Sequence, residues 1–301
     1  MEDAVFVIVL QTVAAWITFL GLVGLTGAVT CLPLISRACE IGEEVERVIS
    51  GLATASALAL VLGTGMRLYA QTWSVFGLDE ALTIELVRVV AFESRWGGFW
   101  RPQAGIAVLA VVAVVGWRRW PRVGWGSAAV AVVAGWLTLP MTGHAMSFDS
   151  SLPGAVLAVH GLAGGLWIGT LAAIVVATPK LIRILGGHGY VARLVRSFSP
   201  LAIVAVTAVA LSGLVAAVVN LETVDQLWTT RYGQVLLAKV GLFVLTGAIG
   251  LRNWRWVTPR LGNPFGTYAL LRSAGAELAV GALVLLAAAL LIHLAMPYVP
   301  M

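Results

Sequence analysis

The sequence predicts an all-α integral membrane protein with eight transmembrane helices, and three observations predict it. Of its 301 residues 60% are hydrophobic and only 11% charged, against about 25% charged residues in a soluble domain. Mean hydropathy is +0.95; no globule in water could hide so much apolar surface, so lipid is the solvent for most of the chain. Eight segments reach the roughly 20 apolar residues that a spanning helix needs. Lys and Arg gather in short clusters between alternate segments, where they set membrane orientation.

The segments are 5–35, 48–69, 99–117, 123–141, 153–178, 200–220, 233–254 and 268–296. The first, fifth and eighth are long and are expected to tilt or to project beyond the lipid. The opening MEDAVFVIVLQ is acidic and leads into a long apolar run. A secretory signal has a positive start and a short core, so this reads as a retained first transmembrane helix. One set of loops carries Arg37 and Arg47; Arg118, Arg119 and Arg122; Lys180, Arg183, Arg193 and Arg196; and Arg252, Arg255, Arg260 and Arg272. The opposite set is nearly free of Lys and Arg, except for the long second loop with Arg67, Arg88, Arg95, Arg101 and four acids. The positive-inside rule puts both termini outside. The sequence pI of about 9.7 and net charge of +5 are thereby assigned to membrane orientation, and nucleic acid is excluded as a partner.

ESRWGGFWRPQAG at 93–105 resembles TTRYGQVLLAKVG at 229–241, and each precedes an apolar segment that ends in a Trp/Arg cluster and a proline. The repeat suggests an N-terminal four-helix half, 1–146, and a C-terminal half, 147–301, related by an axis along the membrane normal. Between the second and third segments, 71–96 reads as an extracytoplasmic amphipathic stretch: LTIELVRVVAF spaces its apolar residues as a surface helix does. Cys31 and Cys39 lie eight apart without a metal-finger pattern and read as ordinary thiols at a reducing, cytoplasmic end. No GxSxG, P-loop, HExxH or GxGxxG pattern stands in a plausible context, so the chain reads as a non-enzyme.

Polar side chains able to bind a ligand collect at 143–169, GHAMSFDSSLPGAVLAVHGLAGGLWIG, which holds two of the four histidines. His144, His160 and His293 all fall in the outer third of the membrane by topology. Imidazole suits copper, zinc, iron and nickel, and thioether selects copper(I). Met146 and Met296 follow two of these histidines closely, so copper is favoured over zinc, with Asp149 at the mouth. Singly, each histidine reads as well as a hydrogen-bonded interfacial residue, and each methionine as apolar filling. Gly161, Gly165 and Gly169 form a ridge that lets another helix approach closely, and Trp167 shares a face with His160 one layer deeper. His188 reads as an ordinary loop residue. Glu277 and Lys239 are ionisable residues within apolar helices, where such groups face a bundle interior, a partner or a water-filled path; Glu277 is either the lower station of a cation path or a bond between helices.

LAVHGLAGGLWIGTL, RSFSPLAIVAVTAVALSGLVAAVV, RYGQVLLAKVGLFVLTGAIGLRNWR and AELAVGALVLLAAALLIHLAMP together resemble the copper resistance protein D (CopD) family, over about half of the chain. The resemblance implies a multi-pass protein of the bacterial inner membrane that takes copper from the periplasmic side and moves it inward. It further implies delivery by a separate periplasmic copper carrier (CopC-like), since the chain shows no attached carrier domain. The matching residues are His160, Trp167, Lys239 and Glu277, with His144 in the GHA element. The expected ligands are His144, His160, His293, Met146 and Met296, with Trp167, Asp149, Glu277 and Lys239 along the path or around the ligands. Two alternatives stand beside it: a haem-binding membrane redox protein that uses the same histidines in bis-histidine ligation, and a membrane scaffold for the copper carrier without an ion path.

Overall fold

A computed structural model describes residues 2–38, 43–77, 82–143, 152–185, 187–295 and 297. Among them no strand forms, and eight helices are long and apolar enough to cross a membrane. In chain order the helices are α1 (Glu2–Ala38), α2 (Glu43–Phe76), α3 (Ile84–Phe92), α4 (Arg95–Trp117), α5 (Pro121–Thr138), α6 (Leu152–Gly164), α7 (Thr170–Leu185), α8 (His188–Asn220), α9 (Gln226–Thr229), α10 (Arg231–Arg252) and α11 (Pro264–Leu291). A π-turn, Gly165–Gly169, fuses α6 to α7 into one span. A second π-turn, Asn253–Val257, and a 3-10 turn, Thr258–Arg260, prolong α10.

Helix starts follow local chemistry. Ser94 and Thr230 accept from Gly97 N (2.9 Å) and Gly233 N (3.0 Å), and Asn263 accepts from Gly266 N (2.9 Å); such caps satisfy backbone donors that the first turn cannot. Pro121 and Pro264 take first-turn positions, where a missing N–H costs nothing. Within the spans, hydroxyls such as Thr18, Thr72, Thr138 and Thr178 donate to the carbonyl four residues back, which hides a polar group that lipid could not solvate.

The first and fifth spans are long as expected, at 33 and 32 residues, but the second and sixth match them at 34 and 33 and exceed the eighth at 28; α8 starts twelve residues ahead of its apolar segment, because YVARLVRSF is good helix-forming sequence that continues past the lipid-facing run. Arg67 also departs from expectation: it lies inside α2 and is 7% exposed, not in the following loop.

Helix α1 is the hub. It packs along α2 and also meets α5, the first π-turn, α7, α8 and α11. Close approach is possible where side chains vanish: a Cβ on Gly27 would stand 1.9 Å from Gly169 O, and one on Gly169 2.1 Å from Val23 O. Indole N–H groups tie this layer together, from Trp16 to Ala282 O (3.0 Å), Trp125 to Val29 O (2.9 Å) and Trp136 to Thr26 Oγ1 (3.1 Å). By contrast α10 packs chiefly on α11, and its Leu237, Val240, Val244 and Leu245 are exposed, as lipid-facing residues are. The short α3 lies against α2 and α4 over an apolar groove of about 310 Å³ that includes Leu68, Val87, Phe92 and Trp100.

Candidate functional site

A buried carboxylate stands in the C-terminal half, at Glu277. It is thirteen residues beyond Pro264, about 20 Å along α11, and is 3% exposed. Trp167 Nε1 donates to Oε1 (3.1 Å) and Asn253 Nδ2 donates to Oε2 (3.0 Å). Asn253 is held in turn by Ser273, whose hydroxyl donates to Asn253 Oδ1. Phe243 stands edge-on to Trp167, with ring centroids 6.0 Å apart at 88°.

Both donors come from π-turns, Trp167 from Gly165–Gly169 and Asn253 from Asn253–Val257. A π-turn inserts an extra residue and frequently marks a functional site. The wider turn changes the expected face relation: Trp167 turns to α11 and α10, whereas His160 turns to α8. His160 Nδ1 lies 3.1 Å from Ser212 Oγ, and a Cβ on Gly213 would stand 3.2 Å from His160 Cε1. The Gly161, Gly165 and Gly169 ridge meets Trp136, Thr26 and Val23 O respectively, so it is a seam onto α5 and α1.

His160 is eight residues beyond Leu152 and Lys239 eight beyond Arg231, each about 12 Å into its helix. The two are within electrostatic range of one another. Among the described residues the ion pairs are Arg47–Glu43, Lys180–Glu44 and Arg183–Glu44; none involves Glu277, Lys239 or Arg67. His293 is half-buried just past α11, with its N–H on Leu290 O (3.0 Å). One residue earlier, Ile292 Cγ2 lies 3.3 Å from where a Cβ on Gly143 would be, so the ends of the fourth and eighth spans meet.

His144, Met146, Asp149 and Met296 lie outside the described residues, as does Cys39. Among the described residues no three His, Cys, Asp or Glu side chains gather closely enough to chelate a metal, so a three-histidine centre turns on His144. His188 is not a loop residue: it opens α8, with Nδ1 3.0 Å from Thr267 Oγ1 at the start of α11.

Sequence reasoning missed Asn253 and Ser212, the partners of Glu277 and His160; Ser212 is a lone uncharged polar residue in an apolar run, and Asn253 hides in the Trp/Arg cluster that ends its span. It also missed a polar cluster in the other half. Arg67 Nη1 donates to Gln103 Oε1 (2.7 Å) and Nη2 to Thr142 Oγ1. Gln103 Nε2 donates to Thr138 O (2.8 Å) and Thr142 Oγ1 (3.1 Å). These bonds fix the 3-10 turn Leu139–Thr142 that leads to Gly143.

Two family models match the chain: "Copper resistance protein D-like, N-terminal domain" over residues 1–155 and "Copper resistance protein D" over residues 192–291. The copper transport protein CutJ of Bacillus subtilis (strain 168) is 29% identical over 266 residues, 87% of this chain and 48% of that protein. The chain therefore spans about half the length of this relative. No solved structure matches. With one family model spanning its first 155 residues and the other most of its last three spans, the chain belongs to the copper resistance protein D family.

Proposed function

We propose that this protein binds copper in the bacterial inner membrane, receives it on the extracytoplasmic side and passes it towards the cytoplasm. In this reading His160 is an outer ligand, joined by His144 and His293 and assisted by Met146 or Met296. Asp149 stands at the mouth, and Trp167, Lys239 and Glu277 line the way inward without ligating the metal. The carrying observation is the polar series in the C-terminal half, His160 with Ser212 about 12 Å into the span and Glu277 with Trp167 and Asn253 below. Lipid penalises such groups, and they mark ion paths when they occur. The contact of Gly143 with Ile292 supports a shared site, since it brings together the residues that directly precede His144 and His293. The family membership and the copper transport activity named for the relative support copper as cargo. Neutral imidazole and thioether can replace the ion's water shell, and they favour copper(I). A soluble periplasmic copper carrier is the proposed donor.

The test is metal analysis of purified wild type and His160→Ala, followed by copper uptake into vesicles. Wild type is expected to hold copper and His160→Ala to lose most of it. Unchanged copper in the variant removes His160 from the site. Copper binding without vesicle uptake points to a scaffold for the carrier. Stoichiometric haem with a Soret band and no copper overturns the reading.

A further inference from the structure

The buried carboxylate of Glu277 has two hydrogen-bond donors and no countercharge. Trp167 and Asn253 are neutral, and each occupies one oxygen. Among the described residues none of the ion pairs reaches the group. On the α10 side Lys239 lies near His160, while Arg252 and Arg255 are exposed. On α7, Lys180 and Arg183 pair with Glu44. On α1 Arg37, and on α8 Arg193 and Arg196, are exposed. An ionised carboxylate at this depth would be an uncompensated buried charge, which costs several kcal/mol.

The surroundings are also built for a group that changes state. Both donors are held by π-turns from separate helices, so the hydrogen bonds survive whether the acid is neutral or ionised. Gly250 packs close against Oε1, where a Cβ would stand only 3.0 Å away. Phe243 closes the far edge of the indole.

We propose that Glu277 carries a proton when the protein is metal-free and releases it when copper(I) enters, so that copper movement is coupled to proton exchange. The inference rests on copper being the cargo. In the step, the carboxylic O–H bond breaks, its electron pair stays on the carboxylate and the proton leaves to water. One Cu⁺ enters as one H⁺ leaves, and the net charge of the buried region does not change. The carboxylate keeps its bonds from Trp167 and Asn253 and balances the ion's charge without ligating it.

Infrared difference spectroscopy of the purified protein in detergent tests this, with cuprous ion as the probe and a pH indicator in weakly buffered solution. Metal-free wild type at neutral pH is expected to show the C=O stretch of a buried carboxylic acid, absent in Glu277→Gln. Copper(I) should abolish that band and release about one proton per ion bound, as linkage requires. His160→Ala should keep the band and fail to lose it on copper addition. A metal-free wild type without the band overturns the proposal, as does copper binding that leaves the band in place. Those results leave the copper reading standing; a wild type that binds no copper overturns that reading and the exchange with it.

Discussion

At Trp167 one N–H and one ring edge do separable jobs. Trp167→Phe keeps an aromatic ring opposite Phe243 and removes the donor to Glu277 Oε1. The cost should be about 1–3 kcal/mol, the desolvation penalty of a buried polar group left unserved, read as a lower Tm in detergent. An unchanged Tm would mean that the bond contributes nothing. Arg67 offers a second residue-scale prediction. Its planar fork serves Gln103 and Thr142 at once, which a single ammonium cannot reproduce. Arg67→Lys should therefore destabilise the protein by about 1.5–3 kcal/mol, and equal stability of the two proteins would refute it. His160, Trp167 and Glu277 were legible in the sequence because they are chemically out of place in lipid. Asn253, Ser212 and Gln103 were not, because an isolated uncharged polar residue in a helix is ordinary until its partner is known. Those partners lie 24, 52 and 36 positions away.

Helices tell a similar story in coarser grain. All eight spans were legible, since hydropathy over about 20 residues is a large signal. Their true ends were not, because a helix goes on past the lipid wherever the sequence still favours it. Pro200 sits within α8, as lipid-embedded helices tolerate. The π-turns were not legible either, since they arise from how Gly165–Gly169 and Asn253–Val257 must rotate to present Trp167 and Asn253 to a third helix. The glycine seam makes a sharp element-scale prediction. Gly169→Ala puts a methyl 2.1 Å from Val23 O, while Gly241→Ala meets nothing within 4 Å. The first should fail to give a monodisperse peak on size-exclusion chromatography. The second should behave as wild type, within about 0.5 kcal/mol. A well-behaved Gly169→Ala would mean that α1 and the π-turn can separate at no cost.

For the molecule as a whole, orientation is the open physical quantity, and charge bias supplies the expectation. Phe265, 88% exposed, lies at the end of the bundle that carries the basic clusters, and Val224, 69% exposed, at the other. With both native cysteines replaced, a membrane-impermeant thiol reagent added to intact cells should label Val224→Cys and spare Phe265→Cys. The reverse pattern would turn the proposed direction of copper entry around. The eight-span architecture came from composition, but the arrangement of spans around α1 did not, because packing depends on which faces meet and hydropathy does not encode that.

That arrangement bears on how the protein is made. Helix α1 leaves the ribosome long before α11, yet Trp16 donates to Ala282 across 266 positions. During synthesis the indole of Trp16 and the donors of Trp167 and Asn253 all enter lipid ahead of the groups that accept from them. Two seats, at Trp16 and Trp167, thus wait for the late-arriving hairpin of α10 and α11, which brings Asn253 with it, and its docking satisfies both together.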